Sequence, residues 1–164
     1  MRILVLTRGL PGSGKSTWIN RNNLDNYTIS TDKLRLLYAS PVLDPDGQLH
    51  LSQKVNKDVF DNLFHILDYR MKNGDFTVVD ACHLRECDLI KYKKLVDLYR
   101  YRTIMIDFTG ISLEECIRRN ASRNPPFVVP EYALRRMYSF LNEKVVIPKW
   151  IKVYSPDDSI ELFC

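Results

Sequence analysis

No Cys-x-x-Cys pair occurs among Cys82, Cys87, Cys116 and Cys164, so neither a zinc site nor a disulfide framework is expected, and reduced thiols in a cytoplasmic setting are the default. Long apolar runs are missing as well. The N-terminal one stops at Arg8 after a few residues, too short for a signal-peptide core or a membrane span, so no membrane partner is expected. Internal repeats and low-complexity tracts are absent, which excludes solenoid and linker-like organisation. With 164 residues the chain can bury a sizeable core as one domain over 1–164, without room for a second catalytic domain.

What is present begins at Gly9. Gly9-Leu10-Pro11-Gly12-Ser13-Gly14-Lys15-Ser16-Thr17 fits G-x-x-x-x-G-K-[ST], directly after the apolar run Ile3 to Leu6 and directly before a segment able to start a helix. This is a P-loop in its required strand-to-helix context. The glycines let successive N–H groups, those of Gly12, Ser13 and Gly14 among them, point inward around a polyphosphate. Lys15 is placed to reach the β- and γ-phosphates of a nucleotide such as ATP, Ser16 to put its hydroxyl on Mg²⁺, and Thr17 to bond a phosphate oxygen. The formal charge is +4, unevenly spread: residues 1–40 carry six Lys/Arg against two acids, and 81–124 carry nine against six. The basic excess lies with the P-loop and the segment around Arg119, which favours a polyanionic ligand there.

Read in order, Ile3 to Thr7 is a strand buried on both faces, followed by a helix from Lys15 to Asn23. Tyr27 to Ser30 is a second strand, with Asp32 and Arg35 just past its end, where ligands sit in open α/β sheets. Ala39 to His50 is a loop in which Asp44-Pro45-Asp46-Gly47 is a turn. His50 and His65 have no evident partner and read as surface or packing residues. Leu51 to Asn73 has helical apolar spacing, closed by Gly74. Phe76 to Val79 is a third strand, ending in Asp80 like the carboxylate that orients a magnesium shell through water or the P-loop hydroxyl. The spacing of Cys82 and His83 is not that of a metal cluster. Glu86 to Arg100 is a helix, Thr103 to Phe108 a fourth strand, and Ser112 caps a helix carrying Arg119 and Arg123, four apart on one face and able to converge on one anion. Pro130 opens a last helix to about Asn142, Trp150 to Tyr154 is a final strand, and residues 155–164 carry no readable function. The expectation is an α/β P-loop NTPase fold: a mostly parallel sheet of four to five strands flanked by helices, with a helical lid at about 112–130.

With these residues in place, the sequence resembles the kinase domain of the polynucleotide 5′-kinase family, known from a bacteriophage kinase-phosphatase and from bacterial RNA-repair kinases. Three blocks carry the likeness: the P-loop continued to Trp18, Asp32-Lys33-Leu34-Arg35, and Arg119-Asn120-Ala121-Ser122-Arg123 with Val129-Pro130 and Leu134-Arg135 beyond. The resemblance implies that Asp32 is the general base for a 5′-hydroxyl and that Arg35 holds a substrate phosphate. It further implies that Arg119 and Arg123 belong to a lid over the donor phosphates, and that Val129 packs on the terminal base. The loop Asn124 to Val128 is one residue longer than in the phage pattern. In the phage enzyme a phosphatase domain follows; the chain stops here, and a phosphatase activity is not expected. DNA or RNA 5′-hydroxyl ends are the implied partners, with a nucleic-acid ligase in the same pathway.

The residues by themselves leave two other readings open: a P-loop kinase for a small hydroxyl compound, and a nucleotide-binding switch or ATPase without an acceptor. No Asn-Lys-x-Asp guanine-reading element occurs, since Asn22-Asn23-Leu24-Asp25 comes too early and lacks the lysine. A GTPase is therefore not expected.

Overall fold

Every residue of strand β1 (Ile3–Arg8) is buried, as a continuous apolar run in the middle of a parallel sheet demands. The computed structural model describes residues 2–158. After β1 come α1 (Lys15–Arg21), a one-turn 3₁₀ segment Asp25–Tyr27, β2 (Thr28–Ser30), α2 (Thr31–Tyr38), β3 (Val42–Leu43), β4 (Leu49–His50) and α3 (Asn56–Asn73). The second half adds β5 (Thr77–Asp80), α4 (Glu86–Ile90), α5 (Lys93–Tyr99), β6 (Arg102–Asp107), α6 (Leu113–Ala121), α7 (Glu131–Asn142) and β7 (Ile151–Tyr154). The main sheet has the order β2-β5-β1-β6-β7, with every adjacent pair parallel.

This order fixes where a ligand can sit. The chain leaves β1 through α1 and skips to β2 on the far side of β5, whereas β6 joins β1 on its other edge. Connections thus diverge at the carboxyl end of β1, which opens the crevice characteristic of doubly wound sheets directly over residues 9–17.

Alternation along the strands sends Leu4, Leu6, Val79 and Met105 to one face, against Leu34 of α2 and Val59, Leu63, Leu67 and Met71 of α3. Ile3, Val5, Val78, Ile104 and Ile106 face the other way, against Trp18 and Ile19 of α1. Each fully buried aliphatic side chain contributes about 1.5–3 kcal/mol, and the two layers hold the sheet rigid beneath the crevice. A third cluster, Leu10, Leu84, Leu113, Cys116 and Leu134, packs α6 and α7 onto the P-loop itself.

Four local readings change. The loop after Ala39 contains an antiparallel hairpin, β3 with β4, turned at its tip by the Asp44–Gly47 segment: Gly47 N–H donates to Asp44 O at 3.0 Å and Asp44 Oδ1 accepts from Gln48 N–H at 2.8 Å. Helix α3 starts at Asn56 rather than Leu51, because residues 51–55 carry the chain from β4 into a turn closed by Asn56 N–H on Gln53 O. The helix expected over Glu86 to Arg100 is broken between Ile90 and Lys93. There Tyr92 turns inward until it is 1 % exposed, and its hydroxyl reaches His83 Nε2 at 2.8 Å. Finally α6 ends at Ala121, with Ser122 as its C-cap, so Arg123 lies past the helix and does not share a helical face with Arg119.

Ser112 does cap α6, its hydroxyl accepting from Glu115 N–H. Cys82, Cys87 and Cys116 are free thiols; Cys164 lies outside the described residues, as do the last six positions of the 155–164 stretch. Among the described residues no helix is long and apolar enough to cross a membrane.

Candidate active site

The P-loop is held open by contacts of its own backbone and by its lysine. Lys15 is only 8 % exposed, and its Nζ donates to Gly9 O at 2.9 Å and Leu10 O at 2.8 Å. Gly9 N–H donates to Cys82 O at 3.0 Å, which ties the loop to the end of β5. Gly12 has φ +81°, and a Cβ there would stand 2.4 Å from Cys116 O. Glycine at this position serves both the turn and the close approach of α6, so the loop and α6 share one backbone contact. Gly14, with φ +103°, ends the loop, and a Cβ there would lie 3.6 Å from an Arg119 terminal nitrogen: the Arg119 guanidinium stands over the N-terminus of α1.

Ser16 and Asp80 meet directly. Ser16 Oγ donates to Asp80 Oδ2 at 2.9 Å. Thr7, fully buried in β1, donates weakly at 3.3 Å to Asp80 Oδ1, and Thr31 Oγ1 donates to Asp80 O at 3.3 Å. Neither threonine stands out in the sequence; a hydroxyl on the strand adjacent to an expected acid was the available signal. The donor set suits a hard cation: one hydroxyl and one carboxylate, the sparse protein contribution typical of Mg²⁺ sites completed by phosphate and water. Ser16 and Asp80 are the residues that would hold it.

Asp32 lies in the first turn of α2, whose N-cap is Ser30, the Ser30 hydroxyl accepting from Lys33 N–H. Its carboxylate is therefore not committed to capping. It is 39 % exposed, with Arg35 at 3.4 Å and Arg123 at 3.5 Å. Arg35 is anchored further by Asn56, at 2.5 Å from its other terminal nitrogen, and its buried Nε has no hydrogen-bond partner among the described residues. Asn56, the first residue of α3, was not anticipated. Arg123 crosses 91 residues to reach Asp32, while Arg119 stands at Gly14. The two arginines reach different protein groups, and the helix expected to align them on one face ends between them.

Val129 sits between the loop and α7, partly buried against the third cluster. Its backbone is clamped at both ends by the Asn120 side chain: Nδ2–H donates to Val129 O at 2.7 Å and Oδ1 accepts from Val129 N–H at 3.0 Å. The buried Asn120 thus sets the path of the chain between Arg123 and Val129. Cys82, between Asp80 and His83, has a thiol pushed up by burial, with the Asp32 and Asp80 charges adding to the shift and Lys15 and Arg35 opposing it. It remains a neutral S–H at the floor of the site. His83 Nδ1–H donates to Thr7 O at 2.6 Å, and Nε2 accepts from the Tyr92 hydroxyl. Burial pushes this histidine down, and both ring nitrogens are engaged within the core.

His50 is more than a surface residue. Its Nε2 meets Asp44 Oδ2 at 2.7 Å and its Nδ1 meets Val128 O at 2.9 Å. Both partners accept, so the two bonds are made together only by the protonated ring, which then straps the hairpin to the loop between α6 and α7. The Val128 carbonyl first, then Asp44, raises it above the ordinary 6.5, while burial opposes. Asp44 is lowered by the Gln48 N–H and by His50. For the raised base, the strap is fully formed below the unfolded value of about 6.5 and is lost as pH rises through the folded one. Amide exchange at residues 124–129 should accelerate over that rise in the wild type and be fast and pH-insensitive, apart from intrinsic chemistry, in His50→Phe. Equal protection in both chains would disprove the strap.

The sheet order, the loop and the strand-end carboxylates together define a P-loop fold of the kinase-like type. Residues 4–143 match the model of the AAA_33 family, an AAA domain, and the chain belongs to that family. Among solved structures it is similar to a chain of the Pnkp1/Rnl/Hen1 RNA repair complex, at 19% identity and TM-score 0.68 over 85% of this chain and 44% of that one. It thus spans less than half of that matched chain. It is also similar to Chaetomium thermophilum Kti12 in complex with ADP-AlF3 (16% identity, TM-score 0.64, 96% and 92% covered). A gluconokinase from Sinorhizobium meliloti 1021 matches at 15% identity and TM-score 0.56, with 94% and 82% covered. These likenesses concern the fold.

Proposed function

We propose that this chain transfers the γ-phosphate of ATP to the 5′-hydroxyl end of DNA or RNA, with the segment from about 112 to 130 acting as its lid. The observation that carries the reading is the Asp32 carboxylate, accessible at the mouth of the crevice and flanked by Arg35 and Arg123. A hydroxyl acceptor needs a base within hydrogen-bonding reach, and a terminal nucleotide brings a 3′-phosphate that a neighbouring guanidinium can bind.

In this reading the P-loop amides, Lys15 and Thr17 hold the donor phosphates. Mg²⁺, when bound at Ser16 and Asp80, neutralises charge on the β- and γ-oxygens. Asp32 accepts the proton of the 5′-hydroxyl as its oxygen bonds to the γ-phosphorus; the bond from that phosphorus to the β-bridging oxygen breaks, and ADP leaves. Arg119 over Gly14 stabilises the charge that spreads over the transferred group, and Arg35 binds the acceptor phosphate. Arg123 bridges the lid to the base, so that closure and acceptor alignment coincide. Val129 faces the acceptor end, and a ligase that joins the phosphorylated end is the expected pathway partner.

A second reading, a small-molecule hydroxyl acceptor, rests on the narrow apolar groove between the hairpin tip and the lid loop, ≈ 280 Å³ and lined by Gly47, Gln48, Leu49, Pro125 and Val128. Labelled transfer from ATP separates the two. Matched 5′-hydroxyl DNA and RNA oligonucleotides should be phosphorylated with a rate that grows with length up to a few nucleotides and falls steeply with salt. Transfer to nucleosides or sugar acids alone, without salt dependence, would replace the first reading by the second.

A further inference from the structure

Glu115 has no place in the chemistry described so far, yet it makes the densest set of charged contacts on the lid. Its Oε1 accepts from Arg119 Nε at 2.6 Å and from Arg118 at 2.6 Å, and its Oε2 accepts from Arg118 Nε at 2.8 Å. An arginine whose Nε is held sideways keeps its plane fixed and its two terminal nitrogens free as a fork. The Arg119 fork is the part that reaches Gly14, 3.6 Å from its Cβ position, and no described protein group accepts from it. Glu115 is thus one turn before Arg119 on the same helix, holding its Nε edge while the terminal nitrogens reach toward Gly14.

We infer that Glu115 is a positioning residue, which orients the Arg119 guanidinium over the P-loop so that its terminal N–H groups face the phosphoryl group in flight. The inference rests on the kinase reading for what Arg119 faces, but not on the identity of the acceptor. An arginine that must find this orientation during each turnover would lose part of its effect, since displacement of a charge-stabilising group by about 1 Å can cost on the order of 10²-fold. Arg118, 72 % exposed on its side chain, bonds both carboxylate oxygens from outside, and its removal should leave the Arg119 contact to Oε1 in place. The lowered pKa of Glu115, about 2 through its bonds to Arg118 and Arg119, keeps it anionic wherever the chain is folded.

The test compares affinities for ADP and for ADP with aluminium fluoride, a mimic of the planar transferring group, by titration calorimetry without acceptor. Glu115→Gln keeps the shape and the helix position. It should weaken binding of the mimic about tenfold and of ADP less than twofold, whereas Arg118→Ala changes neither beyond about twofold. In an Arg119→Lys background, where no Nε fork exists to be oriented, Glu115→Gln should add less than twofold. A purely structural Glu115 would give the same loss in both backgrounds, or a loss of ADP and mimic alike that follows a lowered Tm, and either result overturns the proposal. So does unchanged affinity for the mimic in Glu115→Gln. If Glu115 and Arg119 couple as expected while no 5′-hydroxyl end is phosphorylated, the acceptor assignment falls and the positioning role stands; transfer to 5′-ends without coupling leaves the opposite.

Discussion

On the proposed function, Asp32→Asn should transfer phosphate from ATP to a 5′-hydroxyl oligonucleotide on the order of 10³-fold more slowly than the unaltered chain, with ATP affinity changed by less than about twofold. The size follows from removing a general base, which is worth roughly 10²–10⁴. The selectivity follows from geometry: Asp32 touches Arg35 and Arg123, whereas Lys15 and Ser16 have other partners, Gly9, Leu10 and Asp80. Asparagine retains the volume and an acceptor oxygen for Arg35, so stability should hold; with Ser30 as the N-cap, the cost of losing a cap does not arise. Single-turnover transfer together with nucleotide binding decides the matter. Full transfer activity in Asp32→Asn would remove the carboxylate from the mechanism.

On the same reading, Arg119→Ala should lower the rate of transfer by about 10³-fold, the loss expected when an arginine that stabilises a transferring phosphoryl group is deleted. Arg119→Lys recovers only a small part, because an ammonium is a point charge without a fork. The side chain is 42 % exposed and its ion pair with Glu115 lies within one helix, so little stability depends on it. Melting temperatures of the two variants should therefore stay near that of the unaltered chain while their rates fall. A rate loss matched by a lowered Tm would indicate instead that the residue supports α6. Its neighbour Arg123 should behave differently: its partner is Asp32, the proposed base, so its removal should disturb the acceptor side as well as the rate.

Much of the fold was legible because its signals are local. A fully apolar run before a glycine-rich loop predicts the central parallel strand, and β1 is that strand. Ser112 caps its helix and Gly74 closes α3 with φ +81°, since capping depends on a few contiguous residues. The misjudged elements are those in which packing overrode periodicity. The pattern from Glu86 to Arg100 is helical throughout, but burying Tyr92 against His83 bends the chain there. The hairpin after Ala39 is a pair of two-residue strands, too short to leave a pattern of alternation.

The site divides in the same way. P-loop, Ser16 and Asp80 each sit at a strand end or loop that the sequence marks, and their convergence requires only that β1 and β5 be neighbours, which the register of Leu4 with Thr77 provides. Asn56 beside Arg35 and His50 strapping Val128 had no signature, because each joins segments 21 and 78 residues apart through one side chain; Asn120 clamping Val129 is only nine residues away, but across an irregular loop with no pattern to mark it. Amino-acid order alone determined the phosphate cradle, the strand-end carboxylates and the arginine-bearing helix, since backbone dihedrals and apolar spacing are satisfied within a dozen residues. Only the tertiary structure decided that Arg119 goes to Gly14 and Arg123 to Asp32. Asn124-Pro125-Pro126 stops the helix nearby, but which group each arginine then meets depends on how the segments pack over the sheet, and no local energy term contains that.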